Sequence, residues 1–231
     1  MIKAVFFDLY RTLVRYDPPP EVQQAQACRE FGLSVEPENL RQAFVTAGEF
    51  LTQENARSPI GQRSQAKQQE FWLEYELTLL RAAGVETTPE LASKVLGQVR
   101  QLERQLVLYE DVEPTLALLR GRGLKLGLIS NLDCTLEDFC QGLEIKRFFD
   151  FTLISYEVGV EKPHPKIFRL ALKKAQVRPE EAIHVGDQYL SDVRGAKLVG
   201  IKPLLLDRDG FLTHQDGCQR IRGLGEIINH L

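Results

Sequence analysis

The sequence predicts an α/β protein: an open parallel sheet with helices on both faces, interrupted after its first strand by an inserted all-helical lobe. Three observations predict it. Short apolar runs rich in β-branched or aromatic residues recur along the chain, each ending abruptly at a polar residue, as strands buried on both faces do. Helix-forming stretches separate these runs at the spacing of strand–helix–strand units. The chain has 231 residues, 43% of them hydrophobic, against roughly 150 for a common domain, which leaves room for one large unit carrying a lobe.

In chain order, the first run is IKAVFF at 2–7, closed by Asp8. LKLGLI at 124–129 ends at Ser130 and Asn131, and AIHV at 182–185 ends at Gly186 and Asp187. IKPLLL at 201–206 ends at Asp207, and FTLI at 151–154 is a weaker fifth strand. Helical patterns lie between them at 114–120, 136–143, 165–175 and 192–199.

Residues 17–108 break the rhythm. After Pro18, Pro19 and Pro20, helix-forming stretches run over 21–31, 37–52, 65–83 and 89–106. Pro37 and Pro89 suit a first helical turn, and Gly32 and Gly84 follow helix ends. Nine of the 17 glutamines fall between Gln42 and Gln105, as on exposed helix surfaces. The expected division is therefore 1–16 plus 109–231 for the sheet core and 17–108 for the helical lobe.

Composition excludes several classes. Net charge is −3 with no basic block, so nucleic acid is not an expected partner. The four cysteines (Cys28, Cys134, Cys140, Cys218) are too few and scattered for a disulfide scaffold, and a reducing cytoplasm is expected. The opening MIKAVFFDLY does not read as an export signal. No apolar run approaches the roughly 18 residues of a membrane span, so no membrane partner is expected. Oligomeric state stays open.

In open α/β sheets, ligands sit at the carboxyl ends of strands near a switch in strand order. Asp8, Ser130 with Asn131, and Asp187 occupy three such ends, and Asp192 follows one short turn later. Three converging carboxylates repel one another unless a hard divalent cation and a positive side chain join them. Mg2+ takes octahedral oxygen ligation, and Lys162, between Glu161 and Pro163, is the expected ammonium. The −3 of Asp8, Asp187 and Asp192 then meets +3 from the cation and Lys162. Such a pocket offers a carboxylate nucleophile and electrostatic stabilisation of a phosphoryl group in flight.

Four pieces now carry a resemblance: FFDLYRTL at 6–13, LISN at 128–131, EKPHPKIF at 161–168 and VGDQYLSD at 185–192. Together, and in this order, they resemble the haloacid dehalogenase-like hydrolase superfamily, whose fold is a Rossmann-like sheet with a helical cap inserted after the first motif. The resemblance covers nearly the whole chain. It implies a Mg2+-dependent phosphatase acting on a small anionic metabolite. It makes Asp8 the nucleophile and a metal ligand, with the Tyr10 carbonyl, Asp187 and Asp192 as further ligands. Ser130 and Asn131 would bind phosphate, Lys162 would steady nucleophile and phosphate, and Thr12 would hydrogen-bond near the nucleophile.

The departure is Tyr10, which stands where phosphatases of the superfamily carry an acid/base Asp. A phenol with pKa near about 10 can donate a proton but is a poor base at neutral pH. Tyr10 resembles instead the true 2-haloacid dehalogenases, which need no metal, and Arg41 compares loosely with their halide-side arginine. Their Tyr six residues beyond the motif lysine is here Phe168, and their Ser/Asn-rich fourth motif is here acidic. The expectation is therefore a phosphohydrolase, with two alternatives: a metal-binding relative with little turnover, or a dehalogenase. The chain looks closer to the animal haloacid dehalogenase-like hydrolase domain-containing proteins, which also depart from that Asp. Other residues read as structural: His184 and Trp72 as core, Cys134 and Cys140 as inert, Arg57 and Arg63 as surface.

Overall fold

The computed structural model describes residues 1–211 and 218–231. It comprises two compact units, Met1–Arg15 with Leu106–Leu231, and Tyr16–Gln105. In chain order the strands are β1 (Ala4–Phe7), β2 (Val14–Asp17), β3 (Gln105–Leu108), β4 (Lys125–Ser130), β5 (Phe151–Ile154), β6 (Ala182–Gly186), β7 (Lys202–Leu206) and β8 (Gln219–Ile221). The helices are α1 (Pro20–Glu30), α2 (Pro37–Arg57), α3 (Gln65–Ala82), α4 (Pro89–Val99), α5 (Val112–Gly121), α6 (Leu136–Phe139), α7 (Ser155–Val158), α8 (Pro165–Ala175) and α9 (Arg194–Lys197).

The first unit is built on a six-stranded parallel sheet in the order β5-β4-β1-β6-β7-β8. All four residues of β1 are buried, and the period of two sends them to opposite faces. Val5 and Phe7 join a core with Leu116 and Leu119 of α5 and Leu224 and Ile227 near the C-terminus. Ala4 and Phe6 join a second core with Ile167, Phe168, Ala171 and Leu172 of α8. Each large apolar side chain so buried stabilises by about 1.5–3 kcal/mol. The sheet is close-fitting at β4: a Cβ on Gly127 would lie 2.4 Å from the Phe151 ring.

Helix α8 shows how local sequence sets an element. Pro165 occupies its first turn, the His164 ring accepts from the Lys166 N–H, and Gln176 closes it at φ +57°. Its buried residues recur at the spacing of one helical face.

In the second unit α1 and α3 each pack against α2 and α4. Six of its core residues are alanines (Ala25, Ala27, Ala43, Ala47, Ala83, Ala92), which lets helices approach closely. No helix among the described residues is long and apolar enough to cross a membrane.

Several expectations need correction. The helix expected over 89–106 ends at Val99, and β3 follows at Gln105–Leu108, because the chain extends there to pair with β2. The helix expected over 136–143 is the single turn α6, and Gly142 takes φ +78° beyond it. The helix expected over 192–199 is a π turn, Tyr189–Val193, followed by α9. The ribbon strands β2 and β3, and the edge strand β8, lie outside the expected set. They are short and only partly buried, so they carry no continuous apolar run.

Candidate active site

The strand register builds the site. Phe7 lies opposite Leu128 on one side and Val185 on the other, so Asp8 just past β1, Ser130 at the end of β4 and Asp187 just past β6 share one edge of the sheet. The order of the sheet puts β4 and β6 on opposite sides of β1, which is the switch point where parallel sheets open a crevice. Asp8 emerges there with its N–H donating to the Val185 carbonyl at 2.9 Å.

Asp8, Asp187 and Asp192 each offer a carboxylate oxygen, and these oxygens lie within 4.8 Å of one another. The Lys162 ammonium donates to Asp8 Oδ1 and to Asp192 Oδ1, both at 2.6 Å. The structure thus brings together all four expected charged residues, from two strand ends, one helical turn and one loop. Lys162 is 4% exposed, Asp192 1% and Asp8 9%, so these charges meet with little water to screen them.

Their titration follows from that burial. Desolvation raises Asp8, against the pull of Lys162 and with help from the Asp192 charge. Desolvation likewise raises Asp187, opposed by Arg11 and reinforced by Asp8 and Asp192. Asp192 goes the other way: although burial works against its charge, Lys162 and His184 hold it well below the usual carboxylate range. Lys162 is raised by the two carboxylates, which outweigh its desolvation. One ammonium shared by Asp8 and Asp192, with one loose guanidinium contact at Asp187, offsets only part of the charge of the three carboxylates. An all-oxygen donor set with that deficit fits a hard divalent cation such as Mg2+.

Asp192 is the most heavily engaged of the three. Besides Lys162, its Oδ1 lies 3.0 Å from His184 Nε2, and its Oδ2 accepts the Gln188 N–H at 3.0 Å. Of about four lone-pair positions on a carboxylate, three are taken. Gly186 makes this possible, since a Cβ there would sit 2.2 Å from the Asp192 Cγ.

The Asn131 side chain, expected at the phosphate, is engaged with the Lys162 backbone. Its side-chain amide donates to the Lys162 carbonyl at 2.9 Å, and its carbonyl accepts the Lys162 N–H at 2.8 Å. This pair clamps the lysine's backbone, so Asn131 positions the ammonium. Ser130 is 2% exposed at the end of β4. The Thr12 hydroxyl, expected to hydrogen-bond near the nucleophile, is buried with no partner among the described residues; its carbonyl instead accepts from Arg208 at 2.9 Å. Tyr10 is partly exposed, its ring edge-on to Phe139 at 6.5 Å. Arg41 belongs to the other unit, where its guanidinium pairs with Glu21 at 3.0 Å and Glu38 at 3.1 Å.

Three residues outside the expected site set contribute to it, His184 while being the core histidine the sequence suggested. His184 lies on the α8 face, fully buried and edge-on to Phe168 at 5.1 Å. Burial lowers its pKa, so the ring is neutral and donates from Nε2 to Asp192. Arg208 is bidentate to Asp111 at 2.9 and 3.0 Å, stacks over Tyr109 at 3.9 Å and ties down the loop after β1 through Thr12. Arg11, at φ +63°, lies 3.7 Å from Asp187 and 3.6 Å from Asp209. The available signal for Arg11 was a cation in the loop immediately after Asp8.

The residues read as structural behave accordingly. Desolvation raises Cys28 and Cys140 to about 11 each and also raises Cys134, so these thiols stay protonated and unreactive at neutral pH. Trp72 packs edge-on to Phe71 and Tyr75 at 5.0 and 5.6 Å. Arg63, expected at the surface, is the exception: its side chain is 12% exposed and caps the end of α2 through the Glu54 and Ser58 carbonyls.

Comparison with known proteins adds an independent line. A family model described as a haloacid dehalogenase-like hydrolase matches residues 2–200. A bovine (Bos taurus) protein named haloacid dehalogenase-like hydrolase domain-containing protein 3 is 35% identical over 208 residues, 89% of this chain and 82% of that one. A glyceraldehyde 3-phosphate phosphatase of Methanopyrus kandleri is 34% identical over 216 residues, 91% of this chain and 86% of that one. Among solved structures, a 2-haloacid dehalogenase from Pseudomonas syringae superposes with a TM-score of 0.58 at 25% identity, covering 99% of this chain and 97% of that one.

Proposed function

The chain belongs to the haloacid dehalogenase-like hydrolase family, and from that premise we propose that it is a Mg2+-dependent phosphatase of small phosphorylated metabolites, working through an aspartyl-phosphate on Asp8. The observation that carries the reading is the convergence of three carboxylates within 4.8 Å around an ammonium that satisfies only part of their charge. Two features misfit a dehalogenase: Phe168 stands where its tyrosine would be, and the fourth motif is acidic through Asp187 and Asp192 rather than Ser/Asn-rich. The names of phosphatase relatives support the same class.

In this mechanism an Asp8 oxygen attacks phosphorus, the ester P–O bond breaks, and the leaving alkoxide takes a proton from the Tyr10 phenol, which the water of the second step returns. Water then attacks the aspartyl-phosphate, regenerating the carboxylate and releasing phosphate. Lys162 holds Asp8 in its attacking position and offsets charge on the phosphoryl oxygens. Ser130 donates to the phosphate. His184, Gln188 and Gly186 orient Asp192, which orients Lys162, and Asn131 fixes the lysine from its backbone side. Asp8, Asp187, the Tyr10 carbonyl and Asp192, the last directly or through water, would hold the cation, whose chemistry is to neutralise developing negative charge on the transferring group.

Tyr10 favours a second reading, in which the pocket binds metal and phosphate but turns over slowly. Loss of a general acid/base costs about 10²–10⁴-fold, and hydrolysis of the intermediate suffers more than its formation because a phenol is a poor base.

The test is hydrolysis of an aryl phosphate with and without Mg2+, with Asp8→Asn as control. Metal-dependent phosphate release that vanishes in the variant is expected. Halide release from 2-chloropropionate that persists in EDTA overturns the reading.

A further inference from the structure

We propose that Arg11 is a resident counter-ion of the carboxylate cluster, one that competes with the divalent cation for Asp187 and so sets the metal affinity of the site. This inference rests on the metal reading above and concerns a residue to which that reading assigns no role.

Arg11 occupies an improbable place. Its φ of +63° lies in the left-handed region, and it is one of two non-glycine residues with positive φ among those described. An L-residue with a Cβ adopts that conformation at a cost of roughly 1 kcal/mol or more. Its backbone is fixed there by its N–H donating to the Val14 carbonyl at 2.7 Å. The result is a guanidinium with Nε 3.7 Å from Asp187 Oδ2 and Nη2 3.6 Å from Asp209 Oδ2. Its side chain is 31% exposed and that of Asp187 15%, so the pair is neither a fully solvated surface contact nor a sealed one.

Charge decides the consequence. Asp8, Asp187 and Asp192 carry −3 when ionised, and Lys162 reduces this to −2, enough to balance one divalent cation. Asp209, held by the same guanidinium, adds one negative charge, so across the four carboxylates and Lys162 the presence of Arg11 takes the sum from −3 to −2. A cation entering then either displaces the guanidinium from Asp187 or sits beside it, and both cost binding energy because like charges repel in a partly desolvated site. At 3.7 Å the contact is a loose one without hydrogen-bond geometry, as expected of a group that can yield its place. Arg11 thereby keeps the metal-free cluster tolerable and holds metal affinity down.

Arg11→Asn removes the charge while suiting positive φ, and Arg11→Lys keeps the charge in the same backbone. Arg11→Gly, which suits the φ best, is a second charge-free variant should the Asn protein fold poorly. Mn2+ binding is measured by calorimetry on metal-free wild type and variants at fixed ionic strength. The Asn and Gly variants are expected to bind about tenfold tighter, equivalent to about 1.4 kcal/mol, with the Lys variant within about threefold of wild type. Unchanged or weaker binding in the charge-free variants overturns the proposal, as does a Lys variant that tightens as much as Asn. Mn2+ binding by wild type without the charge effect refutes Arg11's role alone. No binding by any of them refutes the metal site as well.

Discussion

Lys162→Met is the perturbation that most directly probes the charge balance of the site. Methionine keeps the length and most of the apolar contacts of the lysine stem and deletes only the ammonium. That ammonium makes two 2.6 Å contacts, to carboxylates whose side chains are 12% and 2% exposed, from a side chain itself 2% exposed. Removing one partner of a buried ion pair costs about 3–5 kcal/mol, and metal-free Lys162→Met should lose stability of that order at pH 8. The loss should shrink towards pH 5. Asp8 and Asp187 are already pushed upward by burial, and a carboxyl raised in the folded state gives stability at low pH that fades as pH climbs through its folded pKa. Divalent cation should restore more stability to the variant than to wild type, since saturation at a hundred times Kd is worth about 2.7 kcal/mol even without that deficit. The assay is urea unfolding by far-UV circular dichroism, in EDTA and in Mg2+, at both pH values. Trp72, the single tryptophan, lies in the Tyr16–Gln105 unit and reports that unit separately, because two compact units need not unfold as one transition. A variant within about 1 kcal/mol of wild type, in EDTA at pH 8, refutes the idea that Lys162 is what makes the buried carboxylates tolerable.

Two further perturbations follow from the same physics. Glu76 is 2% exposed and accepts a hydrogen bond from Gln24, and burial raises it from 4.5 to about 7. At about 1.4 kcal/mol per pH unit, the helical unit should lose about 3 kcal/mol as pH rises from 4.5 through 7. Glu76→Gln should abolish that slope in Trp72-monitored unfolding and be the more stable protein at pH 8, whereas an unchanged slope assigns it to another group. Tyr10→Asp should raise aryl phosphate turnover by about 10²-fold if the phenol limits hydrolysis of the intermediate. An equal or lower rate means that another group already serves as base.

What could be read from the chain alone follows from where information is local. A strand buried on both faces must be continuously apolar, so β1, β4, β6 and β7 were visible within a residue or two of their limits. Their polar terminators Asp8, Ser130 and Asp187 were visible with them. Helix α8 was legible because Pro165 at its start and the apolar face behind it are both local signals. Strands β2, β3 and β8 were not, because their pairing comes from partners distant in sequence rather than from their own composition.

The sequence by itself determined which chemical groups this protein brings to a sheet edge: three carboxylates, one lysine and a tyrosine where an acid is customary. Only the tertiary structure decided how those groups divide the work. It set the Asn131 side chain as a clamp on the Lys162 backbone. It set His184 behind Asp192 and aimed Arg11 at Asp187 from a left-handed turn. The physical reason is range. Strand ends are announced by neighbours in the chain, whereas these hydrogen bonds and charge contacts join side chains from different elements, and their geometry exists only once the sheet has assembled.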